Sequence, residues 1–128
     1  MTYYIARTVS GGFEENVAKV VAALKQEGFG VLTEIDVSST LKQKLGIDFR
    51  KYRILGACNP ALAHKALTAE DKIGVMLPCN VIVQEGAEGQ VEIAAIDPMA
   101  AMDRVGNPAL TEIARLVAEK LGRVVKAV

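Results

Sequence analysis

Strand-forming and helix-forming segments alternate along this chain, and their order limits the folds it can adopt more than any other feature. Apolar residues recur at alternate positions from Val31 to Val37 and at helical spacing from Phe13 to Leu24. A short apolar run, Tyr52 to Cys58, predicts a further strand. Because no linker interrupts this order, we expect a single α+β domain over residues 1–128. Its mostly antiparallel, curved sheet would carry helices packed chiefly on one face.

The composition predicts a core of aliphatic side chains and a surface without a strong field. Hydrophobic residues make up 51% of the chain, but aromatic residues only 5%, and there is no Trp. The net charge of +0 offers no long-range attraction for polyanions or anionic membranes, so we expect neither nucleic acid nor a membrane as a partner. Helices on one face of the sheet would not bury all of the apolar residues. The remaining apolar surface favours a homodimer.

Two features favour a cytoplasmic location. The N-terminal residues show no basic start followed by an apolar stretch, and the longest apolar run, Ile73 to Val83, is shorter than the roughly 20 residues of a membrane helix. Without a secretion signal, the two cysteines are expected to be reduced thiols.

Proline residues predict where several of these elements begin and bend. Asn59-Pro60 is typical of a helix start, since Asn caps the helix and Pro needs no N–H partner in the first turn. The pair at 107 and 108 predicts the last helix in the same way, and Gly122 predicts its end. Pro78 lies inside a predicted strand from Ile73 to Glu85, which must therefore be bent, bulged or at an edge.

The two cysteines each precede an asparagine, and alternation along the strands predicts where their thiols point. Cys79 shares a face with Val75 and Val81, which we expect to be buried. Cys58 shares a face with Ile54, which we also expect to point inward. A kinked strand and a helix start would then meet at one hollow, and the candidate ligand-binding residues are Cys58, Asn59, Pro60, Pro78, Cys79 and Asn80.

Three functions fit these residues. A small-ligand or ion-binding module would place its site around the two Cys-Asn pairs, where a helix start suits an anion. A thiol-dependent enzyme or redox sensor would use Cys58 or Cys79, and its thiol would need a lowered pKa. A structural or partner-binding homodimer would use both thiols only for packing. Asn80 would bond to backbone groups at the bend or face a pocket. The residues identify no metal or cofactor, since His64 is the only histidine and a closed zinc site takes four donors.

Four segments resemble the family named domain of unknown function 302: "GFGVLTEIDVSSTLKQKLG", "YRILGACNPALAHKAL", "IGVMLPCNVIVQE" and "IDPMAAM". The resemblance covers nearly the whole chain, and its specific parts are G-x-C-N-P and L-P-C-N-V. It implies a β-α-β-β-β-β-α core with short inserted helices, similar to a single copy of the TATA-box-binding-protein fold. It implies no activity, and a fold shared with a DNA binder does not transfer DNA binding.

Overall fold

The computed structural model describes residues 2–128, which form a five-stranded antiparallel sheet with helices packed against it. The strands are β1 (Tyr4–Val9), β2 (Gly30–Asp36), β3 (Tyr52–Cys58), β4 (Cys79–Glu85) and β5 (Val91–Ile96). The α-helices are α1 (Phe13–Gln26), α2 (Val37–Leu45), α3 (Pro60–Ala69), α4 (Pro98–Met102) and α5 (Ala109–Ala127). The predicted α+β class and the β-α-β-β-β-β-α order, with α2, α3 and α4 inserted, are confirmed.

The sheet has the strand order β1-β5-β4-β3-β2, so β4 lies in the middle and the sheet is not closed. Helix α1 contacts β2 and β4, helix α5 contacts β1 and β5, and the apolar side chains of both helices join those of the strands in one core. The opposite face of the sheet therefore has no helix of this pair against it. The largest side chains of the core that are fully buried between sheet and helices are Val20, Leu24, Leu55, Val81, Val83, Val91, Ile93, Leu121 and Val124.

No helix within residues 2–128 combines the length and the apolar character that crossing a lipid bilayer requires.

The strand predicted from Ile73 to Glu85 is wrong over its first part. Asp71–Met76 form a 3-10 helix, the Leu77–Pro78 peptide bond is cis, and β4 begins only at Cys79. Val75, which was expected on the buried face, is 87% exposed. The reason is that β4 pairs on both sides, with β3 and β5, and a proline has no N–H to donate to either neighbour.

The prediction of which β3 side chains point into the core is also wrong. Its buried side chains are Leu55 and Ala57, which point toward α1 and α5. By alternation, Ile54 lies on the opposite, uncovered side, where it pairs with Ile82 of β4. A uniformly apolar strand does not reveal which of its two faces the helices will cover.

The last helix continues through Gly122 to Ala127 instead of ending at that glycine. Val124 and Val125, in its final turns, are 1% and 4% exposed. Burying two valines contributes more than the roughly 1 kcal/mol that a glycine costs inside a helix, so the helix continues past Gly122.

Gly56 allows a close approach of three chain segments beside the cysteines. A Cβ at this position would lie 2.1 Å from Thr33 Oγ1 and 2.7 Å from Pro78 Cγ. The threonine side chain can rotate, but the proline ring cannot move without its backbone. A glycine is therefore required where Pro78 crosses β3.

We predict that Gly56→Ala lowers the free energy of unfolding by about 1–3 kcal/mol, because the added methyl group overpacks this contact. Gly122→Ala is the matched control: an added Cβ there meets no atom within 4 Å, and α5 should gain up to about 1 kcal/mol. Urea denaturation measures both values. A free energy of unfolding of Gly56→Ala equal to that of the wild type would contradict the close contact between residue 56 and Pro78.

Candidate functional site

An apolar cavity of about 300 Å³ lies beside the ends of β3 and β4 that carry the cysteines. β3 contributes Ala57 and Cys58 to its wall, and the chain entering β4 contributes Pro78 and Cys79. Side chains from the helices complete the lining, among them Leu62, Ala63 and Ala66 of α3, Met102 of α4, and Ile113 and Val117 of α5.

The last residue of β3 and the first residue of β4 are the two cysteines, and both line this cavity. Ala57 is the partner of Cys79 in this antiparallel ladder, so Cys58 lies one residue beyond that pair. The Cys58 thiol is near enough to contribute to the raised pKa of Cys79. Two cysteines that are far apart in the chain border one cavity, although strand alternation does not account for Cys58, which has the same parity as Ile54.

Burial keeps the Cys79 side chain a neutral thiol. Loss of hydration, and to a smaller extent the neighbouring Cys58, raises the pKa of Cys79 to about 11. Only 7% of Cys79 is exposed to solvent. A nucleophilic cysteine needs the opposite shift, so Cys79 acts at neutral pH as a small apolar group with a weak S–H donor.

The start of α3 offers little to an anion. Asn59 lines the cavity, and its Oδ1 accepts a hydrogen bond from the Leu62 backbone N–H at 3.2 Å, which is the predicted helix cap. Pro60 has no N–H to offer, and the Ala63 N–H already donates to the Asn59 carbonyl at 2.8 Å. The cap uses the Leu62 N–H and the proline removes another donor, so this helix start offers an anion fewer N–H groups than most helix starts.

Asn80 and Pro60 are separated from the other predicted site residues. Asn80 alternates with the buried Cys79 and Val81, so its exposed side chain lies on the uncovered face of the sheet and lines a second hollow there. Pro60 is exposed at the first turn of α3, and it does not line the cavity. The residues that share the cavity are Cys58, Asn59, Pro78 and Cys79.

Sequence reasoning missed the helical half of the lining. Ile113 and Val117 belong to the last helix, whose spacing predicts only an apolar core face, and Met102 lies in a stretch that the sequence predicts as irregular or briefly helical. The stripe on α5 was identifiable, but periodicity does not show whether the element opposite fills the space or leaves it open.

The part of the chain that the structure describes holds no cluster of three or more His, Cys, Asp or Glu side chains suited to a metal ion. The two thiols of the cavity have no third ligand of these types beside them.

The comparisons with known proteins identify relatives without an assigned activity. The family model described as "Domain of unknown function DUF302" matches residues 5–128. The crystal structure of an uncharacterized conserved DUF302 protein from Bacillus stearothermophilus is similar at a TM-score of 0.92 and 32% identity. The similarity covers 99% of this chain and 98% of that one. A search of the curated proteins found no match.

The raised pKa of Cys79 predicts how stability depends on pH. The folded state keeps the thiol proton up to about pH 11, whereas a cysteine with the ordinary pKa of 9.0 loses it earlier. This contribution to stability is thus complete below pH 9 and is lost as the pH rises toward 11.

Cys79→Ser removes the titrating thiol and should remove this part of the alkaline loss of stability. Urea denaturation at stepped pH values, for both wild type and variant, isolates the cysteine from the lysines and tyrosines that the two proteins share. Parallel pH profiles for the two proteins would contradict a buried neutral thiol at this position.

Proposed function

Because the chain belongs to the family described as domain of unknown function DUF302, a description that names no activity, we propose a function from the cavity itself. The protein is a non-enzymatic binding module for a small, uncharged, predominantly apolar molecule. The ligand lies between β3, α3 and α5, against Cys58, Asn59, Pro78 and Cys79.

The chemistry of the lining carries this proposal. Among residues 2–128, no Asp, Glu, Lys, Arg or His side chain lines the cavity. A charged ligand would lose its hydration here without gaining a partner, at a cost of several kcal/mol. An uncharged apolar ligand gains free energy for all the surface that it buries.

The cavity encloses one or two rings, and a third ring of a ligand would protrude at its margin. Its volume of about 300 Å³ is at the lower end of known ligand pockets, and an apolar cavity of about half that size already holds benzene. Leu32 and Leu67, exposed at the margin of the cavity, add apolar contacts for a ligand that protrudes.

Few polar groups are present to orient the ligand. The side-chain oxygen of Asn59, Oδ1, accepts the hydrogen bond of the helix cap, so only the side-chain N–H₂ group of Asn59 remains to donate to a ligand. The Cys58 thiol, which is half-buried, is a weak donor beside it. Such a set favours a ligand with one acceptor atom on an otherwise apolar frame.

A fluorescence titration with the uncharged dye N-phenyl-1-naphthylamine tests this function. The dye emits strongly only in apolar surroundings, so we expect a saturable rise with one dye bound per chain. The anionic dye 8-anilinonaphthalene-1-sulfonate has a similar frame, and we expect it to bind at least about tenfold more weakly, because its sulfonate would lose hydration.

Two phenylalanine substitutions on α3 show whether the dye occupies this cavity. Ala63→Phe projects a ring into the cavity and should weaken dye binding by about tenfold or more. Ala61→Phe is the matched control, since Ala61 is exposed on the same helix and does not line the cavity. Equal binding by the two variants would refute the site, and thermal denaturation verifies that both are folded.

A thiol reaction at Cys58 is the second candidate, favoured by one observation: the half-exposed Cys58 and the buried Cys79 border the same cavity. Peroxide could oxidise the two thiols to a disulfide and be reduced to water. If dilute peroxide forms this disulfide in the folded protein as fast as it oxidises a reactive enzyme thiol, the redox function replaces the binding module.

The binding module predicts instead that the thiols react slowly and that the ligand shields Cys58. Iodoacetamide at neutral pH should leave Cys79 unmodified, and saturating N-phenyl-1-naphthylamine should slow the modification of Cys58. Mass spectrometry of the intact protein counts the adducts. The expected homodimer stays a prediction, which sedimentation equilibrium measures.

A further inference from the structure

A second hollow lies on the face of the sheet that α1 and α5 leave uncovered. Its floor follows from the register: Ala94 of β5 pairs with Ala6 of β1 on one side and with Ile82 of β4 on the other. The two small alanine side chains lie between larger neighbours, so the sheet surface is depressed there. The hollow has a volume of about 450 Å³.

Every tyrosine of the chain lines this hollow. The sequence contains 3 tyrosines, and Tyr3, Tyr4 and Tyr52 all contribute to the wall. The rings of Tyr3 and Tyr4 meet edge to face, with their centroids 5.1 Å apart. The faces of aromatic rings carry partial negative charge, so a wall of this kind attracts cations. We call this site the tyrosine hollow.

The charged side chain that lines the tyrosine hollow is negative, like the partial charge on the faces of its rings. Of the residues that the structure describes, Glu92 is the only Asp or Glu in the lining, and no Lys or Arg is part of it. Its Oε1 accepts a hydrogen bond from Gln84 Nε2 at 2.9 Å, which holds the carboxylate in place. Within residues 2–128, no Lys or Arg nitrogen lies within 4.0 Å of this carboxylate, so it enters no ion pair.

One ring of this site already has a cation beside it. The Arg50 guanidinium carbon lies 5.4 Å from the centroid of the Tyr52 ring and 4.4 Å from that of Phe49. Arg50 does not line the hollow, and its Nε donates to Gln84 Oε1 at 2.9 Å. Arg50 thus positions Gln84, and through it Glu92, from outside the site.

We propose that the tyrosine hollow binds a small organic cation of the alkylammonium class. The ring faces and the Glu92 carboxylate attract the positive charge, and the apolar floor of Ile82 and Ala94 contacts the alkyl groups. Asn80 provides an amide for a hydroxyl or carbonyl group of the same ligand. This site is independent of the thiol cavity, because it lies on the other face of the sheet.

Choline and its carbon isostere 3,3-dimethylbutanol test the proposal, since they share a shape and differ in charge. The chain has no Trp, so its ultraviolet emission comes from the tyrosines, all of which line the hollow. Titration at constant ionic strength should show a saturable change in this emission. Choline should bind about tenfold more tightly than the neutral alcohol.

Two glutamate variants assign the charge selectivity to the hollow. Glu92→Gln should weaken choline binding by about tenfold and leave the binding of 3,3-dimethylbutanol unchanged. Glu85→Gln is the matched control, because Glu85 lies on neighbouring β4 next to Gln84 and outside the hollow. Tyr52→Leu should weaken choline binding without removing the carboxylate, which separates the ring contribution from the charge.

Several results would overturn the proposal. They are the absence of a saturable signal, equal affinity for choline and the alcohol, or equal losses in Glu92→Gln and Glu85→Gln. Sedimentation equilibrium adds a further one: a stable dimer whose tyrosine emission does not respond to choline would show that a second copy of the chain covers this face instead.

Discussion

The register between β3 and β4 is the constraint on which both candidate sites depend. Pairing Ala57 with Cys79 directs both side chains toward the cavity, where Cys58 ends β3 beside them, and strand alternation sends Asn80 to the other face. A shift of one residue would exchange the two faces and bury the amide in place of the thiol. Val81 and Val83, both fully buried against the helices, oppose that shift because it would expose them.

The side of the sheet on which a residue lies determines its chemistry. Toward the helices, loss of hydration makes Cys79 a neutral thiol, and the neighbouring apolar side chains exclude charge from the cavity. On the uncovered face, solvent reaches Asn80 and Glu92, and three tyrosine rings can contact a charged ligand. Adjacent residues of one strand thus belong to sites with opposite preferences for charge.

Much of this arrangement could be predicted from the sequence, because short-range signals carry it. Asn59-Pro60 predicts the start of α3, and alternation predicts the inward direction of Cys79. The prediction failed where tertiary contacts decide the outcome. Val75 was expected inside a strand, but pairing on both sides of β4 excludes Pro78 and the residues before it. Gly122 was expected to end α5, but the burial of Val124 and Val125 extends the helix.

Crystallography under xenon pressure measures most directly whether the β3–β4 register creates an open apolar cavity at the two thiols. Xenon enters apolar cavities and needs no polar partner, so its position reports the space itself. The account predicts a xenon site in contact with Cys58, Cys79 and Ala63, on the helix side of the sheet. If the side chains close over this space and xenon binds only elsewhere, the cavity and the function built on it are contradicted.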